Sequence, residues 1–193
     1  MNLSFVQILQ RSLETESLVR VYRRRAPTDP IVGYVAAVND ELLAIYTVEA
    51  NVRFDGVAVI RTCDISEVQT RGADENFIKR GLAARGLDPP ATQIDITSWK
   101  SAIQSLQEES PVANIQNKFE LDDPDDDLCD QDYGTVAEIL DDSIIVRPID
   151  IGGVWKKYTK EISLKALLRV DSGGIFERML GELAREPETE SRT

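Results

Sequence analysis

The chain has 193 residues, 42% of them hydrophobic, with 22 Lys/Arg, 34 Asp/Glu and no histidine. That length allows one large or two small domains, and no apolar run approaches the roughly 20 residues of a membrane-spanning helix. Without histidine there is no His-dependent triad, no His-ligated zinc and no histidine pH switch. The two cysteines, Cys63 and Cys129, are too few for a disulfide framework and read as two buried or partly buried thiols of a reducing compartment. Met1 to Phe5 lacks the basic start and apolar core of a secretory signal, so the expected location is cytoplasmic. The net charge of −12 is unevenly placed. Residues 1–90 carry 11 basic and 12 acidic side chains, and residues 91–193 carry 11 and 22. Such a field repels nucleic-acid phosphates and suits docking to a basic protein.

Residues 4–14 place Phe5, Ile8, Leu9 and Leu13 at helical spacing, with Ser4 as the N-cap. Residues 17–25 form a β-rich run among arginines, and residues 27–30, Pro-Thr-Asp-Pro, predict a turn. Asn39-Asp40 is a hairpin signal between two apolar runs, 31–38 and 42–48. Asp55-Gly56 predicts a further turn, and strands at 57–60 and 65–68 complete a set of five. Residues 74–85 predict a helix that ends near Gly86. The order then recurs. A helix over 98–109 puts Trp99, Ile103 and Leu106 on one face. Residues 112–121 predict a strand, 122–132 an Asp-rich loop, and 133–140 with 143–149 a hairpin around Asp141-Asp142. Gly152-Gly153 turns the chain, 154–162 and 166–170 predict strands, and 175–185 a last helix.

The recurrence is specific at an offset of 101. Gly33-Tyr34-Val35-Ala36 lies over Gly134-Thr135-Val136-Ala137, Asp40 over Asp141, Leu43 over Ile144 and Ile45 over Val146. Apolar positions coincide while exposed ones differ, as expected of two copies of one fold. Five short strands with a Gly inside the second predict a strongly bent sheet closed into a small barrel. The expected domains are 1–90 and 91–186, with a disordered tail at 187–193.

The apolar-Gly-apolar stretch Ile31-Val32-Gly33-Tyr34-Val35, its hairpin Asn39-Asp40, and Val59-Ile60-Arg61-Thr62-Cys63-Asp64-Ile65 resemble the Sm-like family. Thr62 stands where that family usually has Gly, and residues 160–167 carry no such arginine motif. The second unit keeps Tyr133-Gly134-Thr135-Val136. The chain also resembles uncharacterised bacterial proteins that carry this barrel with a trailing helix. The ending that carries that likeness is Val170-Asp171-Ser172-Gly173-Gly174-Ile175-Phe176-Glu177. The resemblance implies an α+β, mainly β fold of two tandem Sm-like or SH3-like five-stranded barrels, each flanked by helices. It also implies rings and single-stranded RNA as a ligand. The family's base-contacting Asn, ten residues after the signature Gly, is here Leu43 and Ile144, so the polar group that reads a base edge is lacking.

Arg20, Arg23, Arg24 and Arg25 form the one basic cluster. As a strand, it would set Arg23 and Arg25 on one face and Arg20 and Arg24 on the other. It is a candidate contact for phosphate or an acidic partner, but it reads first as a charged edge strand protected from aggregation. Asp122, Asp123, Asp125, Asp126 and Asp127 form a candidate acidic docking loop. Counted from Asp125 the run lacks the Gly and Glu of a calcium loop, so no metal is expected there. Asp141-Asp142 reads as turn chemistry, Trp99 as core, and Trp155 as an anchor for the barrel or a partner. No catalytic constellation and no cofactor are expected. The leading expectation is a non-enzymatic protein-interaction module of adaptor, regulatory or toxin-immunity type. Its partner would be a basic protein, with no membrane involved and strand edges available for a homo-oligomer. The alternative is an Sm-like RNA-binding protein, and an enzyme of unrecognised type, such as a carboxylate-only hydrolase, ranks last.

Overall fold

Ser4 opens the first helix, α1 (Phe5–Glu14), through a capping box: its Oγ accepts from the Gln7 amide, and Gln7 Oε1 accepts from the Ser4 amide at 2.9 Å. The computed structural model describes residues 3–70, 75–90, 93–118 and 129–187. They form an α+β fold, mainly β, in two compact units, Met1–Leu106 and Gln107–Thr193. No helix of the described residues is long and apolar enough to cross a membrane.

In the first unit α1 is followed by β1 (Leu18–Arg23), β2 (Ala26–Val38), β3 (Leu42–Val48), β4 (Phe54–Arg61), β5 (Ile65–Gln69) and α2 (Glu75–Ala84). Within it the strands lie in the order β5-β1-β2-β3-β4, each pairing antiparallel. Leu9 of α1 is fully buried and packs with Val19, Val21, Ile31, Val35, Leu43, Ile45, Ala58, Ile60 and Ile65. A separate cluster forms under α2, where Leu82 meets Leu18, Tyr34, Val48 and Val52. Gly86, at φ 63, ends α2 with its amide on the Ala83 carbonyl and that of Leu87 on Leu82.

The boundary between the units falls inside α3 (Trp99–Glu109), which Ser98 caps at Ser101 N. The second unit holds β6 (Ala113–Lys118), β7 (Cys129–Ile139), β8 (Ser143–Ile149), β9 (Lys160–Ser163), β10 (Leu167–Ser172) and α4 (Ile175–Leu183). Its order is β10-β6-β7-β8-β9. The two hairpins match residue for residue. Gly33 faces Thr47 and Gly134 faces Pro148; Val35 faces Ile45 and Val136 faces Val146. Both ladders slip at the same place, between Val35 and Ala37 and between Val136 and Glu138.

Several expectations are corrected. The sheets are open rather than closed barrels. In the first unit β4 and β5 stand at opposite ends of the order, and among the described residues no pairing joins them. Leu9 of the amphipathic α1 packs on that core, so burial there comes from a helix and not from a closing ladder. Strand β1 is no edge strand, because it pairs with both β2 and β5. Residues 27–30 are extended within β2, since proline's φ suits that backbone and the β1 ladder skips them between Ala26 and Ile31. The turn instead falls at 24–25. Asp55-Gly56 lies inside β4, and the chain reverses one turn earlier, where the Val52 amide bonds the Glu49 carbonyl. Of residues 154–162, only those from Lys160 on join a strand; Val154 and Trp155 make single bridges.

Candidate functional site

The arginine cluster does not form a strip. β1 ends at Arg23, and Arg24 and Arg25 occupy the turn that follows. Arg20 is half-buried in mid-sheet opposite Val32 and Gln69. Arg23 is buried, with Nη2 3.8 Å from the Asp29 carboxylate. Arg24 is exposed, and its Nε donates to the Cys63 carbonyl at 3.2 Å. Arg25 is half-buried. The loop aspartates Asp122, Asp123, Asp125, Asp126 and Asp127 lie outside the described residues, as does the expected tail beyond Pro187. Cys63 is a free, exposed thiol.

Arg23 has a counterpart that spacing alone did not single out. It sits opposite Ile65 of β5, and Asn117 of β6 sits opposite Leu167 of β10. Counted along the strands from the matched pairs Val19–Gly33 and Ala113–Gly134, the two positions are again equivalent. Both residues are 8% exposed. The acid beside Arg23 is Asp29, and 101 residues later stands Asp130. Its cation comes from a different strand: Lys160 of β9, whose Nζ donates to Asp130 and, at 2.7 Å, to Asp132. Burial opposes the charge on Lys160, but the two carboxylates outweigh it and hold its pKa above the ordinary lysine value. In the first unit the registers put apolar Ile31 and Ala58 where the second has Asp132 and Lys160.

The exchange leaves a gap. Asn117 Nδ2 donates to the Lys118 carbonyl at 3.2 Å, and its Oδ1 is buried with no partner among the described residues. Beside it a cavity of about 270 Å³ is lined by Asn117, Asp130, Lys160, Glu161 and Ser163 among others. A larger cavity in the first unit, about 620 Å³, lies against α1 and β2 and is lined by Ser12, Glu16, Tyr34, Tyr46, Asp88 and Ile94. Burial raises the Tyr34 phenol above its usual pKa there.

The second feature of the second unit is α4. Its inner face sets Leu180 on Val112 and Ile149. Its outer face is also apolar, with Ile175, Phe176, Met179 and Leu183 between 44% and 68% exposed. In α2, by contrast, Phe77 is the one large apolar side chain exposed. The end of α4 is tied to the turn bearing Ile151, 80% exposed, through Arg185 N to Gly153 O and Trp155 N to Arg185 O. Arg147 stacks 5.2 Å over the Trp155 ring and binds Glu186 with both terminal nitrogens, so Trp155 anchors this corner of the unit itself. Trp99 is buried on its helix, as its spacing predicts.

Comparison with protein-family models, with curated proteins and with solved structures finds no match to this chain.

Proposed function

We propose that the chain is a tandem pair of Sm-like units acting as a non-enzymatic protein-interaction module, adaptor, regulatory or toxin-immunity-type. Its second unit docks a basic protein through the outer face of α4. The apolar face of α4 carries this reading: a contiguous apolar stripe on a surface helix marks a protein contact site. The doubled hairpin register supports the tandem part. The partner's charge follows from the 22 acidic against 11 basic residues of 91–193, which favour a positive surface around an apolar anchor. RNA is the less supported ligand, because burial of Arg23 interrupts the row of arginines that would track phosphates.

The test compares capture by the parent chain with capture by Met179→Glu/Leu183→Glu, both outward-facing, after circular dichroism confirms an unchanged fold. A stoichiometric basic protein retained by the parent, and bound at least about 30-fold more weakly by the variant, is expected, since one apolar anchor contributes roughly 2 kcal/mol. No stoichiometric partner, or a partner indifferent to the double change, would refute the reading.

A further inference from the structure

The cavity beside Asn117 presents a distinct chemistry. Its uncommitted buried group is a hydrogen-bond acceptor, Asn117 Oδ1. Around it stand Asp130 and Glu161, with Lys160 already shared between Asp130 and Asp132. Glu161 is exposed, and its one recorded hydrogen bond is from Ser143 Oγ at 2.6 Å. Asp130 and Asp132 thus share the one ammonium of Lys160, while Glu161, the next residue along β9, projects from the opposite face with Ser143. A guest that donates hydrogen bonds and carries positive charge satisfies Asn117 Oδ1 and adds a second cation to the Asp130–Asp132 pair. Leaving Oδ1 buried and unbonded costs on the order of a hydrogen bond.

The first unit shows what such a guest looks like. At the equivalent position the chain supplies its own guanidinium, Arg23, on the strand that in the second unit carries the shorter Asn117. At about 270 Å³ the cavity is smaller than the roughly 300–1,000 Å³ typical of small-molecule sites, which suits one inserted side chain.

We infer that the Asn117 cavity is a receptor for an arginine side chain of the basic partner, taking the place that Arg23 fills in the first unit. The guanidinium donates to Asn117 Oδ1 and to the Asp130 carboxylate opposite it, and the planar fork matches such a pair of acceptors better than an ammonium does. This inference rests on the reading of the second unit as a docking surface for a basic protein, but it can fail separately.

The test is a nuclear magnetic resonance titration of the full ¹⁵N-labelled chain with N-acetyl-arginine methylamide. The lysine analogue and the uncharged citrulline analogue serve as controls. A saturable shift of the Asp130 and Lys160 backbone amides, which line the cavity, is expected, with a dissociation constant on the order of 1 mM, weaker for lysine and lost for citrulline. Asn117→Arg should abolish the shift by filling the cavity as Arg23 does. Glu161→Gln, on the opposite face of β9, should leave the probe's affinity unchanged. No saturable shift, a shift that persists in Asn117→Arg, or equal response to citrulline would overturn the inference and leave the cavity to ordered water only. The α4 experiment reads the docking surface independently. If the partner binds Asn117→Arg as tightly as the parent, the arginine receptor fails while the docking surface stands.

Discussion

Replacing Gly134 by alanine probes why β7 and β8 approach so closely. A methyl group on Gly134 would lie 2.5 Å from the Arg147 carbonyl oxygen and 2.9 Å from Val146 Cγ1. Ordinary carbon–oxygen contacts begin near 3.3 Å, so the strands must part by roughly 1 Å. The obstacle is backbone, which cannot rotate away as a side-chain tip can. Overpacking of this kind costs about 1–3 kcal/mol, and stretched ladder bonds add about 1 more. Against this, alanine restricts the unfolded chain and returns at most about 1 kcal/mol. The net loss is about 2 kcal/mol, a fall in Tm of roughly 4–8 °C for a chain of this size. At Gly33 the added methyl would press closer still on the Tyr46 carbonyl, with Ile45 Cγ2 at 2.7 Å, so Gly33→Ala should cost more. Thermal unfolding followed by Trp155 emission for the second unit and Trp99 emission for the first measures each. A midpoint within about 1 °C of the parent, or a larger loss at Gly134 than at Gly33, would refute the close-approach argument.

Leu9→Ala empties a fully buried site under α1 and should lower stability by about 2–5 kcal/mol in urea unfolding. Asp150 accepts hydrogen bonds from Lys156 Nζ and from the Val154 and Gly152 amides, which hold its carboxyl below the ordinary aspartate pKa. Its contribution is therefore complete above an unfolded value of about 3.9 and is lost as pH falls through the lower folded value; the Tm gap between parent and Asp150→Asn should close in that acid window. Lys160 has the opposite sign: its raised pKa contributes below the unfolded value of about 10.4 and is lost as pH rises through the folded one, so Lys160→Met should lower Tm at neutral pH and converge with the parent in alkali. Charge reversal of Arg24 and Arg25 should leave RNA retention on a filter unchanged from the parent, and a loss of retention would revive the nucleic-acid reading.

Much of the fold was legible because its signals are local. Ser4 with Gln7, Asn39 and Gly86 mark element ends through bonds within four residues. The offset of 101 carried the hairpins from one unit to the other, down to the shared bulge. What could not be read is non-local. Nothing in residues 17–25 announces that β1 gains a second neighbour more than 40 residues away, which makes it an inner strand. The packing of α1 on the open sheet joins Leu9 to residues of all five strands, which only the assembled unit brings together. The acid–cation exchange was within reach, since the same offset places Asp130 over Asp29. It escaped because Lys160 comes from a strand with no matching charge at Ala58. The outward face of α4 shows in its composition, but an apolar residue on a helix is read first as core.

The pattern of conserved and altered positions between the units separates folding from recognition. Positions that the bend requires keep their residue type: glycine at 33 and 134, β-branched or aliphatic residues at 35, 45, 136 and 146. The end of the sheet near Arg23 and Asn117 carries no such constraint, yet it is not random. The acid is kept while its cation moves from one strand to another and two apolar neighbours become Asp132 and Lys160. If stability alone governed that end, the apolar pair Ile31 and Ala58 would serve both units better, because half-buried ion pairs seldom outperform well-packed apolar residues. Retaining extra charge beside a cavity and an unbonded Asn117 has a cost that folding does not repay. The same unit bears the apolar outer face of α4, an expense of the same kind. Both departures fall in the second unit, and a binding partner is the agent that would offset both.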